Sequence, residues 1–447
     1  MASGGHTQLS AIGEQDYYLT SNPQLSFFKK AYKRHTNFAI EPMLIPLDEN
    51  TGADDTRFNK EVRTIIPRKG NLLHKLYLFI DVELTNENEN THGITVSNFA
   101  NTLIKNAKIR IGGMTIEEYT SQFKQLKSEL LNESRLKQNV TDVNGGKSVE
   151  FSGVFDDTIY IDNTEKMKGN IPLFNNASSK TTHKLLYEFD FWFTRNMASS
   201  IPLDSLSNHD IELIFQTETK NNMIGTMTNL KITNMLLYGD YIIVDGEEKR
   251  RFAQSSHEYL IEQTSIQTET TSDTNSGDDK LLNQRTYKLG FNNPVKYLLW
   301  GITNPGTPGN NPGQGPTYFV SQTTSSLTGD DGTKGTLYFQ LNGQNITPEN
   351  YPIINYTRFN QYKYLGHCAP LDIVGFYSFA TKPFDIEPSG TCNFSRLTQV
   401  HMIVSFANNK NKNSDDNNII KNKDLFIFAV NYNIFRISSG MGGLLYA

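Results

Sequence analysis

The residues best suited to chemistry in this chain fail on spacing. Gly146-Lys147-Ser148 ends like a phosphate-binding loop, in which backbone amides and a lysine cradle phosphates. That loop needs a glycine five residues before Gly146, and Thr141 stands there. His257-Glu258 opens like a zinc-protease helix, but the second histidine one turn on is replaced by Ile261. The histidines, at 6, 35, 74, 92, 183, 209, 257, 367 and 401, include no i, i+4 pair, and no zinc-type or cupin-type site is expected. Cys392 has no identifiable base partner, and no Gly-x-Ser-x-Gly elbow occurs. Asp and Glu are plentiful, as on any solvated surface, and their number does not define a glycosidase pair. No catalytic residue, cofactor or metal is assigned. Cys368 and Cys392 are the two cysteines of 447 residues, so reduced thiols and no disulfide are expected.

Two segments fit contact rather than catalysis. Lys29-Lys30-Ala31-Tyr32-Lys33-Arg34-His35 is basic and aromatic. It could grip an acidic partner or an anionic membrane, but the favoured expectation is the wet face of a short helix whose Phe27, Phe28 and Tyr32 dock on the first domain. The polar arm before it is a candidate intersubunit contact. The C-terminal Ser438 to Ala447 carries three glycines, which permit close backbone approach, and an apolar Leu444-Leu445-Tyr446 end that needs a burial partner. A net charge of -5 argues against a general nucleic-acid coat. No apolar run is long enough to span a bilayer. The first residues lack a basic region followed by an apolar stretch, so no secretory signal is expected.

Short apolar and aromatic runs broken by Gly, Pro, Asn and Thr give an all-β rhythm. Strands are expected at Leu76 to Leu84, Ala107 to Ile111, Leu185 to Phe193, Ile211 to Phe215, Leu236 to Val244, Val295 to Ile302, Thr336 to Leu341, Gly375 to Phe379, Val400 to Phe406 and Leu425 to Ile437. Helices are expected at Pro23 to His35, Tyr119 to Glu133 and Glu247 to Gln254. Ser265 to Asp279, Thr303 to Gly335 and Asn408 to Lys423 read as surface loops, with a further insertion over Asn132 to Asn176.

The two halves resemble each other. Tyr77-Leu78-Phe79-Ile80-Asp81-Val82 matches Tyr297-Leu298-Leu299-Trp300-Gly301-Ile302, and Ile109 to Ile116 matches Phe339 to Ile346. Phe193 precedes Pro202 by nine residues, as Phe379 precedes Pro388; Tyr241 to Val244 falls near Tyr432 to Phe435. The matches keep their order, which reads as a tandem duplication joined near Asp245 to Phe252. Gly112-Gly113 and Asn342-Gly343 suit the positive φ of a tight hairpin turn. Each half is expected to be an eight-stranded jelly-roll sandwich, in an all-β chain divided into an arm (1–25) and modules at 26–245 and 246–447.

Several segments resemble the major capsid proteins of nucleocytoplasmic large DNA viruses. The N-terminal signature resembles Gln15 to Lys29 followed by Tyr32 to Phe38, including Asp16, Tyr18, Asn22, Pro23, Phe27, Phe28, Tyr32, Arg34, Asn37 and Phe38. Arg251-Phe-Ala-Gln254 and His257 to Gln263, with His257 and Tyr259, resemble the interdomain stretch. Tyr377-Ser-Phe-Ala380 and Pro388 to Arg396, with Pro388, Gly390, Cys392, Asn393, Phe394 and Ser395, resemble a second-domain motif. Tyr432 to Ala447, with Gly440, Gly442 and Gly443, resembles the C-terminus. The resemblance implies a structural double jelly roll, not an enzyme, that forms homotrimers. These tile the outer icosahedral shell of a virion assembled in host cytoplasm. Minor capsid or penton proteins would lie beneath and at the vertices; no direct nucleic-acid contact is implied, and contact with the internal membrane only indirectly. The competing reading is a carbohydrate-binding or carbohydrate-cleaving tandem jelly roll, which predicts a concave groove of aromatics and carboxylates. Trp192 and Trp300 sit in apolar runs and are expected in cores instead.

Overall fold

The computed structural model describes residues 4–30, 32–47, 57–86, 95–97, 99–131, 159–160, 170–172, 180–219, 228–270, 284–303, 319, 322, 335–369, 373–405 and 424–446. Gly146-Lys147-Ser148 and the expected loop Asn408 to Lys423 lie outside these residues, as does most of Asn132 to Asn176 and Thr303 to Gly335. The chain divides into two compact units, 1–38 and 39–447.

In the first unit a short helix spans Gly4–Ser10 and a single helical turn spans Tyr17–Thr20. The helix expected over Pro23 to His35 does not form. Ser26 and Lys29 bridge across a tight turn, and residues 32–37 belong to no helix or strand. A short helix is marginal in water unless one face is buried. Here Phe27, Phe28 and Tyr32 are 92%, 99% and 83% exposed, so that source of stability is missing.

Among the described residues, sixteen principal strands build the second unit, the first of them starting at Phe38 on its boundary. The first eight are β1 (Phe38–Ile45), β2 (Glu61–Ile65), β3 (Leu72–Asn86), β4 (Ile104–Ile111), β5 (Met114–Thr120), β6 (Lys180–Glu188), β7 (Ile211–Thr217) and β8 (Thr228–Val244). The next eight are β9 (His257–Thr270), β10 (Gln284–Lys288), β11 (Pro294–Thr303), β12 (Thr336–Leu341), β13 (Gln344–Asn345), β14 (Gly375–Ser378), β15 (Val400–Ser405) and β16 (Asp424–Ser438). The first half has sheet orders β1-β8-β3-β6 and β2-β7-β4-β5. The second half repeats them eight strands later, as β9-β16-β11-β14 and β10-β15-β12-β13. This is the jelly-roll order, present twice. Two helices lie between strands at the junction of the halves: α1 (Ser121–Leu131) and α2 (Gly246–Gln254), the latter joining the halves with Asp245 as its N-cap.

Only one of the four internal matches is in register. Ile111 pairs with Met114 and Ile211, and Leu341 pairs with Gln344 and Val400, so the two hairpin turns correspond residue for residue, although the first hairpin shifts register beyond Arg110. Their turns have φ of 57° and 83° at Gly112 and Gly113, and 47° and 85° at Asn342 and Gly343. The other matches are offset from the structural correspondence, which is fixed by a β-bulge that both halves share. His74 is the extra residue between Leu73 and Lys75, and Lys296 that between Val295 and Tyr297. Aligning the bulges places Tyr77 with Leu299 and Tyr241 with Asn431. Pro202, paired with Leu72, corresponds to Asn393, paired with Pro294, and not to Pro388.

Two strand limits also differ from expectation. The strand expected to reach Phe193 stops at Glu188, and Trp192–Arg195 forms a helical turn. There the Phe191 N–H donates to Thr194 Oγ1 (3.1 Å), and Arg195 is drawn back onto Asp190. The loop expected from Ser265 instead continues β9 to Thr270, paired throughout with β16. Its threonines and Ile266 are β-branched and suit a strand.

Candidate functional site

The most elaborate side-chain arrangement lies where the two halves meet. Strand β11 is buried on both faces because Val295, Leu298 and Trp300 fill the second sandwich while Tyr297 and Leu299 face the first half. Phe428 of β16 lies 5.4 Å, ring to ring, from Phe123 of α1, and Trp192 lies 5.8 Å from Tyr259. One apolar cluster therefore runs from the first sandwich across the seam, while the second sandwich keeps its own core.

Charges are set into this seam. Arg195 donates to Glu117 Oε1 (3.0 Å), to Asp190 Oδ1 (2.9 Å) and, across the seam, to Glu262 Oε2 (2.9 Å). Lys127 pairs with Asp190 and the buried Lys296 with Glu262, each at 2.5 Å. The Trp192 N–H donates to Glu117 Oε2 (2.7 Å). Burial pushes the Glu117 carboxyl up to about 7, with Arg195 and the Trp192 N–H opposing. Burial would also raise Asp190 and Glu262, but Arg195 with Lys127 holds the former, and Arg195 with Lys296 the latter, below the ordinary carboxylate range. Burial works against the Arg195 charge, yet Asp190, Glu117 and Glu262 hold its pKa well above the usual value. Of these, Lys127, Asp190, Arg195 and Glu262 edge a cleft of about 470 Å³ that Lys75, Lys124, Glu188 and Phe384 also line. Each charged group of the set bonds another protein group, so the arrangement is a fastening. Among the described residues, no cluster of three or more His, Cys, Asp or Glu is placed to hold a metal. Trp192 and Trp300 are 3% and 1% exposed and offer no stacking platform.

A second fastening joins the C-terminal hairpin to the first half. Strand β16 turns at Ser439 and Gly440 and returns along Met441–Leu444. The Asn208 N–H donates to Gly440 O (3.0 Å), and the Gly442 N–H to His209 Nδ1 (3.2 Å). Gly440 has φ of 79°, and a Cβ there would sit 2.5 Å from Ser207 Oγ. A Cβ on Gly442 would sit 2.7 Å from Phe435 and 2.9 Å from Leu206, whereas Gly443 faces open space. Leu444 packs on the shared cluster, but Leu445 and Tyr446 are 45% and 58% exposed, so the apolar end is only partly buried.

The remaining signature residues are dispersed. In the arm, Asp16 Oδ2 accepts from the Gly13 N–H (2.9 Å), Tyr18 lies in the helical turn and Asn22 has φ of 51°. Pro23, Arg34 and Asn37 are exposed, and Phe38 begins β1 at 48% exposure. His257 Nε2 is 2.8 Å from Phe252 O at the start of β9. Pro388 is exposed, and Gly390 has φ of 130°. Asn393 Oδ1 accepts from the Ser395 N–H (3.0 Å), Ser395 Oγ accepts from the Asn293 N–H (2.8 Å), and Phe394 is buried. Cys392 is half-buried beside Val295, and Cys368 is exposed. Sequence reading missed Glu117, Asp190, Arg195, Glu262 and Lys296. The available signal was a charge inside an apolar run, as in Phe189-Asp190-Phe191-Trp192-Phe193-Thr194-Arg195 and Val295-Lys296-Tyr297.

Comparison with known proteins agrees across the chain. The family described as "Major capsid protein N-terminus" matches residues 26–253, and "Large eukaryotic DNA virus major capsid protein" matches 248–443. The major capsid protein of Pyramimonas orientalis virus is 30% identical over 450 residues, with 99% of each chain covered. That of Paramecium bursaria Chlorella virus 1 is 30% identical over 483 residues, with 100% of each covered. The solved structure of PBCV-1 VP54, fitted into a reconstruction of the virophage Sputnik, superimposes with a TM-score of 0.69 at 25% identity, covering 94% of this chain and 100% of that one.

Proposed function

The chain belongs to the family of large eukaryotic DNA virus major capsid proteins, and on that premise we propose that three copies associate into a pseudo-hexagonal capsomer that tiles an icosahedral shell. The observation that carries this reading is the repeated strand order, β1-β8-β3-β6 with β2-β7-β4-β5 and then the same pattern eight strands on. Three chains of two alike modules place six alike wedges about one axis, and a near-hexagon packs edge to edge where a triangle does so less well. The modules of this reading are 26–245 and 246–447, with 1–25 as an arm. The work is structural and needs no catalytic group. The protein's place is the virion capsid, reached by assembly in host cytoplasm. Its principal partner is itself, with minor capsid or penton proteins beneath and at the vertices. The internal membrane is met only indirectly, and the genome not at all.

Light scattering on the purified chain tests this. A species of three times 50.6 kDa is expected under native conditions, and images of assembled particles should show an array of six-sided blocks. A persistent monomer overturns the trimer.

A further inference from the structure

The two halves differ in what covers one equivalent face. In the second half, the outer face of β9-β16-β11-β14 carries Leu299, Phe426 and Phe428 and is covered from within the chain by α1, whose Phe123, Leu126 and Leu130 are buried. Helix α1 lies in the connection from β5 to β6. In the first half, the same face of β1-β8-β3-β6 carries Tyr77, Phe79, Leu236 and Tyr238, which correspond through the shared bulge to Leu299, Gly301, Phe426 and Phe428. The rings form a platform: Tyr77 and Tyr238 stack at 6.2 Å, and Phe79 meets Tyr238 edge-on at 5.5 Å. All four side chains are only half-buried, and on the edge strand beside them Ile40 and Leu44 are 43% and 45% exposed. An apolar patch rimmed by charges such as Lys75, Glu188 and Asp240 is the form of an interaction surface.

The second half also has a helix where α1 lies in the first. The connection from β13 to β14 contains a helical stretch from Ile353 to Leu365, and there Phe359 and Tyr362 are 55% and 64% exposed. Within one chain, then, one aromatic face is covered by a helix, and an equivalent face and an equivalent helix both remain open. We propose that the Tyr77–Tyr238 face of one copy receives the Phe359–Tyr362 helix of a second copy, repeating between chains the contact that α1 makes within one. The proposal rests on the capsomer reading and names its subunit contact. Such a contact is heterologous: each copy offers the face to one neighbour and the helix to the other, so it closes only as a ring.

The test uses the full chain with Tyr238→Lys to spoil the face and Tyr362→Glu to spoil the helix, each followed by sedimentation and light scattering. Circular dichroism should match wild type, because the Tyr362 side chain is exposed and the Tyr238 side chain is on the surface. Each variant alone is expected to need at least tenfold more protein than wild type to form the three-chain species. Met114→Glu, at a 45% exposed position in the β4–β5 hairpin turn, should trimerise as wild type does. Mixing the face variant with the helix variant leaves one intact face and one intact helix in apposition, and a two-chain species is expected. Wild-type assembly by either single variant, or a mixture that gives only monomer at concentrations where wild type is fully trimeric, overturns the proposal while the capsomer reading stands. A wild-type chain that never trimerises removes both.

Discussion

Glu117 is the group through which pH acts on the seam. It is fully buried, accepts from Arg195 and the Trp192 N–H, and lies near Asp190 and Lys127. Its carboxyl rises from 4.5 to about 7 on folding. An acid whose folded value is raised favours the folded state while it is protonated. Its contribution is complete below the unfolded value and is lost as pH climbs through the folded one, roughly 3 kcal/mol over that window. Asp190 and Glu262 are shifted the other way, so their contributions are present above the ordinary carboxylate range and lost as pH falls below it. Seam stability is therefore expected to peak in mild acid. Glu117→Gln should flatten the alkaline side of that peak. The amide loses one of two accepted hydrogen bonds, lowering stability at about pH 5 by roughly 1–2 kcal/mol, but it no longer has to ionise in a buried site. Melting temperatures at about pH 5 and pH 8 provide the check, and the readout is their difference. An unchanged difference would assign the alkaline loss to other groups.

Elements dock on one another here by the absence of side chains as much as by their presence. Gly442→Ala adds a Cβ 2.7 Å from Phe435 and 2.9 Å from Leu206, so the C-terminal hairpin must lift from the 206–209 turn. A cost of about 1–3 kcal/mol is expected, read as a fall in melting temperature. Gly443→Ala, one residue away in open space, is the control and should be nearly neutral. Element boundaries were legible wherever local chemistry dictates geometry. Gly112-Gly113 and Asn342-Gly343 force the same turn, and that internal match is in register. The matches made on apolar pattern alone slipped, because similar apolar runs align at more than one offset when no turn residue pins the register. The shared bulge would have pinned it, but neither His74 nor Lys296 advertises itself as the bulged residue. The helix expected at Pro23 to His35 fails for the complementary reason: apolar spacing predicts an amphipathic helix only if something covers the face, and Phe27 and Phe28 are exposed. The ion cluster was illegible because Glu117, Arg195 and Glu262 come from β5, a helical turn and β9 in different halves. Only the fold brings them together.

At the scale of the molecule, the seam decides whether the two sandwiches behave as one body. A single apolar cluster runs through the first sandwich and across the seam, and Arg195 ties Glu262 of the second half to Glu117 and Asp190 of the first. Removing one member of a buried charge set leaves the others unpaired, which typically costs about 3–5 kcal/mol. Arg195→Ala would leave three carboxylates facing one another with only Lys127 and Lys296 to offset them. Wild type is expected to unfold in one calorimetric transition. In the variant the two sandwiches should melt separately, because the second keeps a core of its own. The loosened seam should also expose the linker around α2 to protease before either sandwich unfolds. In the proposed capsomer a ring of six modules requires a fixed angle between the two in each chain, so the variant should lose trimer although Arg195 is not among the aromatic residues of the proposed docking face. A variant that melts in one step and trimerises normally would show that the apolar cluster alone sets that angle.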